Sequence, residues 1–336
     1  MKKKGKLIFL FVGLLILAVL FRTFGIEKTI THILNMGWNF WIIILIYLFN
    51  HIFLSYGWKV LISQPVKHSR FYKLVLARIA GDSTSSINAL GALAGEPLKA
   101  MFIKDIVPFK MGLASVILDR TIHTISNILL ILTGIVVSFF LLDMPVYVKA
   151  LSFLLFAGIF LLLVVVLMKQ RDGFVEYLVG KVPSSLLGRF MTEERWKKVR
   201  ALDEEFAYIF SSRDNLRHFY ISLFVHYLSV LVAGVLEIYL IIVFIGVPIS
   251  IAHALFVYIF GLFLTGAIFF MPANLGTSEG SYSIALKFLG YDPALGLSVG
   301  IIRRLRTFVW AAIGILILFY AGLLKKEVSY EEGENR

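Results

Sequence analysis

The sequence predicts an all-α polytopic membrane protein, with about six transmembrane helices and two re-entrant helical hairpins in an inverted repeat. Three observations carry this. Of 336 residues, 59% are hydrophobic and 16% charged, more apolar surface than a water-soluble core can enclose. Apolar runs at 7–25, 38–62, 110–141, 148–168, 216–245 and 295–324 are long enough to span about 30 Å of hydrocarbon. Residues 38–141 also overlay 221–324 at one offset of 183 positions, which superimposes Glu96 on Glu279, Lys104 on Lys287, Ser115 on Ser298, Arg120 on Arg303 and Thr124 on Thr307. Charged and hydroxylic residues are scarce here, so these coincidences mark residues 1–336 as a single membrane domain built from two related halves.

The elements can be threaded in order, because basic loops stay on the cytoplasmic side. Lys2, Lys3, Lys4 and Lys6 put the N-terminus inside. This start resembles a signal-peptide n-region, but no small-residue cleavage site follows Phe21-Arg-Thr-Phe24, so 7–25 is expected to remain as the first helix. A second crossing, 38–62, returns the chain to the basic segment 59–73. Lys99, Lys104 and Lys110 are inside again. The stretch 71–98 therefore reads as a hairpin that enters from the cytoplasm and returns to it, with its tip within 84–95.

The next two helices cross out near 141 and back near 168. They deliver the charged loop 169–215, with Arg189, Arg195, Lys197, Lys198 and Arg200, to the cytoplasm. Within it, Trp196, Val199, Leu202, Phe206 and Phe210 share one helical face. An amphipathic helix on the inner leaflet and a helix packed on the bundle fit that pattern equally. Helix 216–245 then exits, and Gly246-Val-Pro-Ile-Ser250 lies outside. Lys325 and Lys326 require the last helix to end inside. Residues 252–290 must then dip in from the outside, with 272–276 at the tip, so the halves have opposite orientation. The expected location is the plasma membrane, with both termini cytoplasmic.

Each hairpin breaks at small residues: Asn88-Ala-Leu-Gly-Ala-Leu-Ala-Gly95 before Glu96, and Pro272-Ala-Asn-Leu-Gly-Thr-Ser278 before Glu279. Broken backbone at membrane depth is tolerated only when buried in protein or facing a watery cavity. Serine and threonine at both tips can satisfy the freed backbone groups. Matching breaks in two halves are the mark of a transporter binding site.

Ionisable side chains at membrane depth are costly and face partners or polar cavities, which yields a short list of candidates. Arg78 and Asp82, four residues apart, share a helical face and are expected to pair. Glu96 opens the second arm of the first hairpin, near Lys99. Asp119, Arg120 and His123 follow on the next helix. His226 and Glu237 precede the second hairpin, and Glu279, Arg303, Arg304 and Arg306 complete the set. The leading candidates are the quartet Glu96, Arg120, Glu279 and Arg303, with Lys99, Asn274 and Arg304 beside them. Arginine grips phosphate through a planar fork, and a nearby glutamate holds that fork ready or exchanges a proton. Arg78, Asp82, Asp119, His123 and Glu237 are candidates for proton coupling or support. Permanent salt bridges locking hairpin to helix are the competing account of the same pairs. His51, His123 and His226 are expected as hydrogen-bonded bundle residues.

With no cysteine, the chain has no disulfide, thiolate metal site or cysteine nucleophile. No Ser-His-Asp spacing, HExxH or P-loop appears, so no catalysis, metal or cofactor is expected. The net charge of +12 sits in loops beside the spans, which favours anionic lipid headgroups over nucleic acid as partners.

At Gly95-Glu-Pro-Leu-Lys99, Leu118-Asp-Arg120 and Met271-Pro-Ala-Asn-Leu-Gly-Thr-Ser-Glu279, with Arg303 beyond, the chain resembles the lysylphosphatidylglycerol synthase transmembrane (YbhN-like) family, over nearly its whole length. That family includes the flippase half of MprF-type proteins. The chain keeps Pro272, Gly276 and Glu279 of the second motif but has Ala273 and Asn274 where the family usually has glycine. The resemblance implies movement of a lipid with a polar or anionic headgroup between leaflets. MprF-type proteins add a soluble aminoacyl-transferase domain that the residues after Lys326 do not supply, so lipid aminoacylation is not expected. Two alternatives stay open: a non-catalytic partner of a lipid or envelope synthase, and a membrane enzyme acting on prenyl or phospholipid substrates. Homo-oligomerisation is also left open.

Overall fold

The computed structural model describes residues 26–62, 66–87, 92–141, 213–268 and 274–322, with Arg22 and isolated positions between 146 and 161. The expected first helix, most of 148–168, the amphipathic segment 192–210, the end of the chain and positions 88–91 and 271–273 at the hairpin tips lie outside these residues. All regular structure among the described residues is helical. It comprises α1 (Ile26–Met36), α2 (Phe40–Leu61), α3 (Phe71–Ile87), α4 (Ala92–Phe102), α5 (Phe109–Leu141), α6 (Arg213–Phe244), α7 (Ile251–Ala267), α8 (Thr277–Phe288) and α9 (Pro293–Tyr320).

Three spans among the described residues are long and apolar enough to cross a membrane: Thr29–Leu61, Phe109–Phe140 and Asp214–Phe244. The first runs from α1 through a single 3-10 turn, Gly37–Asn39, into α2. α9 is 28 residues long, about 42 Å at 1.5 Å per residue, but carries Arg303, Arg304 and Arg306 mid-length. Large apolar side chains such as Phe49, Phe53, Phe224, Phe308 and Phe319 point outward, as lipid-facing helices require.

The order of elements recurs. α2 ends at Leu61 and α6 at Phe244, the same offset of 183 that relates Glu96 to Glu279. After each comes a 17-residue helix, then one of 11 or 12 residues, then a long helix starting at Phe109 or Pro293. Helices of 11 and 12 residues extend only about 16–18 Å, well short of a hydrocarbon core.

Small residues bring the paired short helices together. A Cβ on Gly95 would lie 2.1 Å from the Gly81 carbonyl oxygen and the same distance from Ser85 Oγ, so α3 and α4 meet backbone to backbone. The halves also interlock: α3 packs on α9 and α7 packs on α5, while α2 and α6 pair at the centre. Ser83 Oγ donates to the Trp310 carbonyl across the first of these contacts, at 2.9 Å. The main core gathers apolar residues of α2, α6, α7, α8 and α9, including Ile238, Ile241, Leu286 and Val299. A second core, around Trp58, Leu74 and Ile103, seats the base of the first hairpin.

Candidate functional site

The second hairpin turns through left-handed backbone at Asn274 (φ 51°) and Gly276 (φ 76°), conformations favourable to asparagine and glycine. That turn aims the amide of Gly276, the residue that caps α8, at the Glu279 side chain. The fully buried carboxylate accepts from the Gly276 N–H at 3.0 Å and Ser278 Oγ at 2.9 Å. An acidic side chain in the first turn of a helix also meets its positive end. The other oxygen accepts from Arg304 Nε at 2.9 Å and Nη2 at 2.6 Å. Glu279 is thus a fully partnered carboxylate that ties the tip of the second hairpin to α9.

Arg303, one position earlier, turns away to α6. Glu237 accepts from Arg303 Nε at 3.0 Å through one oxygen and from Arg306 Nη1 at 2.7 Å through the other. Arg303 donates to the Tyr282 hydroxyl, and its guanidinium lies 5.5 Å from the Tyr258 ring centroid and 5.3 Å from that of Tyr282. Arg306 stands 3.7 Å from the centroid of Tyr47. These contacts are cation–π in kind and are stronger away from water.

The first half is built differently at corresponding places. Arg78 donates to Asp119 at 2.6 Å and to the Leu54 carbonyl at 3.0 Å, and its guanidinium lies 5.7 Å from the Trp58 ring. His226 of α6 also contacts Asp119, at 3.0 Å. Asp82 pairs with Lys99 at 2.5 Å, tying α3 to α4. Glu96 and Arg120 stand 3.7 Å apart, without a hydrogen bond to the Glu96 oxygen nearest Arg120. The Arg120 side chain is 56% exposed, whereas that of Arg303, its partner in the repeat, is 17% exposed.

Three sequence expectations need correction. Arg78 does not pair with Asp82, because its guanidinium extends across to α5 and Asp119 while Lys99 captures Asp82. Glu279 pairs with Arg304 rather than Arg303, because consecutive residues on a helix diverge by about 100° and only Arg304 faces the tip of the second hairpin. His226 is hydrogen-bonded as expected, to Asp119 and Ser222. His51 is not, since neither of its ring nitrogens has a hydrogen-bond partner, and His123 Nδ1 also lacks one. His123 packs its ring on His226, with centroids 6.0 Å apart.

The tyrosines around Arg303 were missed by sequence reasoning. Tyr282 sits at the repeat position of Lys99, which was a usable signal; Tyr258 and Tyr47 read as ordinary apolar residues. Among the described residues, no group of three or more His, Asp or Glu side chains is placed to hold a metal ion. No curated protein and no solved structure matches the chain. A family model does, across residues 6–314, and with a span that covers all of the buried charge just described, this membrane protein belongs to the family described as the lysylphosphatidylglycerol synthase TM region.

Proposed function

We propose that this protein is a lipid flippase, not an enzyme, that moves a lipid with a polar or anionic headgroup between leaflets of the plasma membrane. Its hairpins are re-entrant and enter from opposite faces, each gating access to one leaflet, with both chain termini cytoplasmic. Family membership supports a role in lipid metabolism or transport, and short paired helices with small-residue contacts suit re-entrant hairpins.

The observation that carries the reading is the inequality of the two repeat-related arginines. Arg303 is enclosed by Glu237, Tyr282 and Tyr258, and so serves as architecture. Arg120 keeps one loose carboxylate neighbour and more than half of its side chain open. In the ion-pair clusters just described, and among the described residues, six cations (Arg78, Lys99, Arg120, Arg303, Arg304 and Arg306) face five carboxylates (Asp82, Glu96, Asp119, Glu237 and Glu279), and Arg120 is the most exposed of the six. An anionic headgroup at Arg120 balances the excess, and a guanidinium receives phosphate in bidentate fashion. Glu96 holds the guanidinium until the lipid arrives. The locked pairs Glu279–Arg304 and Glu237–Arg303 keep the second hairpin and α9 in register.

Proteoliposomes test the assignment. Arg120→Ala is expected to slow translocation of an anionic lipid at least about tenfold, the rate equivalent of one lost charge-assisted interaction, with thermal stability retained. Arg120→Lys keeps the charge without the fork and is expected to fall between the two. Undiminished translocation by Arg120→Ala would remove Arg120 from the headgroup site.

A further inference from the structure

We propose that His51 is a proton-binding site that gates the first hairpin, drawing Asp82 away from Lys99 when the imidazole takes up a proton from water. The inference rests on the transport reading and adds to it a group through which a proton gradient acts.

His51 lies on α2 and is 3% exposed, yet neither ring nitrogen makes a hydrogen bond. Buried polar groups are nearly always partnered, and each one left unmade costs about 1–3 kcal/mol. The ring is packed between Tyr47 and Trp310, each with its centroid 5.0 Å away. Its Nδ1 stands 3.6 Å from Asp82 Oδ2, just beyond hydrogen-bond reach, while the other Asp82 oxygen holds Lys99 Nζ at 2.5 Å. Trp310 Nε1 and Arg306 Nε are also without partners, so reorienting the imidazole breaks no hydrogen bond of theirs.

The neighbouring charges make proton uptake and pair exchange one event. Asp82 and Arg78 act on His51 from α3, Lys99 from α4 and Arg306 from α9. Asp119 of α5 is engaged by Arg78 and His226 of α6, and α6 offers Ser229 to neighbouring Asn50. An imidazolium therefore meets three cations and one available carboxylate. It is accommodated when Asp82 closes the short gap to Nδ1–H and loosens its hold on Lys99. That pair joins α3 to α4 beside the contact of Gly81 with Gly95, so its release frees the arms of the hairpin. His51 also packs on Trp310, whose carbonyl accepts from Ser83 of α3. The site therefore spans the seam between the halves.

The test is nitrogen NMR of the full chain, labelled at its seven histidines and held in lipid nanodiscs. The His51 signal is assigned by its loss in His51→Gln or, if that variant does not fold, by its displacement in Trp310→Phe. The expected result is a His51 ring that passes from neutral to protonated on acidification, within the pH range over which the nanodisc-held protein stays folded. Lys99→Met should increase the protonated fraction at a given pH and Asp82→Asn should decrease it. A ring that stays neutral throughout, or one whose titration is the same in both variants, overturns the proposal. Translocation plays no part in this readout, so failure of the proton site and failure of the transport reading are separable.

Discussion

Arg303 and Arg120 occupy one repeat position yet have opposite surroundings, and the contrast is decided by single neighbours. Glu237 faces two guanidinium groups at once, so removing its charge strands both. Glu237→Gln is expected to cost about 3–5 kcal/mol, the usual penalty for breaking a buried ion pair, read as a lower unfolding midpoint in detergent. Outside the membrane-spanning helices, Asp105 follows ordinary electrostatics: its hydrogen bond from Lys73 holds its carboxyl below the usual carboxylate range, despite some opposing desolvation. A depressed carboxyl stabilises the fold above its unfolded-state value and loses that contribution as pH falls through the lower folded value. The small stability difference between wild type and Asp105→Asn should therefore be present above about pH 4 and fade in stronger acid, in a pH series of thermal melts. The candidate charges were legible in the sequence because charge is rare in this chain. Which of the adjacent Arg303 and Arg304 meets Glu279 was not, since that depends on how α9 is rotated against α6 and α8.

At the scale of elements, close packing of short helices on long ones sets the geometry of the hairpins. A Cβ on Gly296 would lie 2.2 Å from the Ser283 backbone nitrogen, and one on Gly300 would lie 3.0 Å from Glu279 Cα. Gly296→Ala must therefore push α8 away from α9, a change expected to cost about 1–3 kcal/mol, as overpacking typically does. Gly266→Ala, with no atom within 4 Å of its added Cβ, is expected to leave the unfolding midpoint unchanged or slightly raised. An equal loss in both variants would contradict this packing account. The long apolar helices were legible to within a few residues: α5 was expected at 110–141 and is Phe109–Leu141. Two polar beginnings were not. α1 contains Glu27, Lys28 and His32, which interrupt the apolar signal, and α6 starts at Arg213-Asp-Asn215, before the hydropathy rises.

For the whole molecule, the elements recur and the halves interlock, and the proposed function adds that the two hairpins work as opposed gates. The cysteine-free sequence makes their sidedness accessible. Ser86→Cys, exposed near the end of α3, is expected to react with an impermeant thiol reagent from the cytoplasmic face only, and Asn274→Cys from the opposite face only. Reaction of both from one face would contradict the inverted arrangement. Opposite faces would leave lipid movement as the remaining question, which leaflet-resolved translocation in proteoliposomes answers most directly. The assay would compare anionic, zwitterionic and prenyl-phosphate lipids in wild type and Glu96→Gln. The account predicts transport of an anionic class by the wild type and its loss when Glu96 can no longer hold Arg120 ready. Absence of transport for every class would contradict the flippase reading.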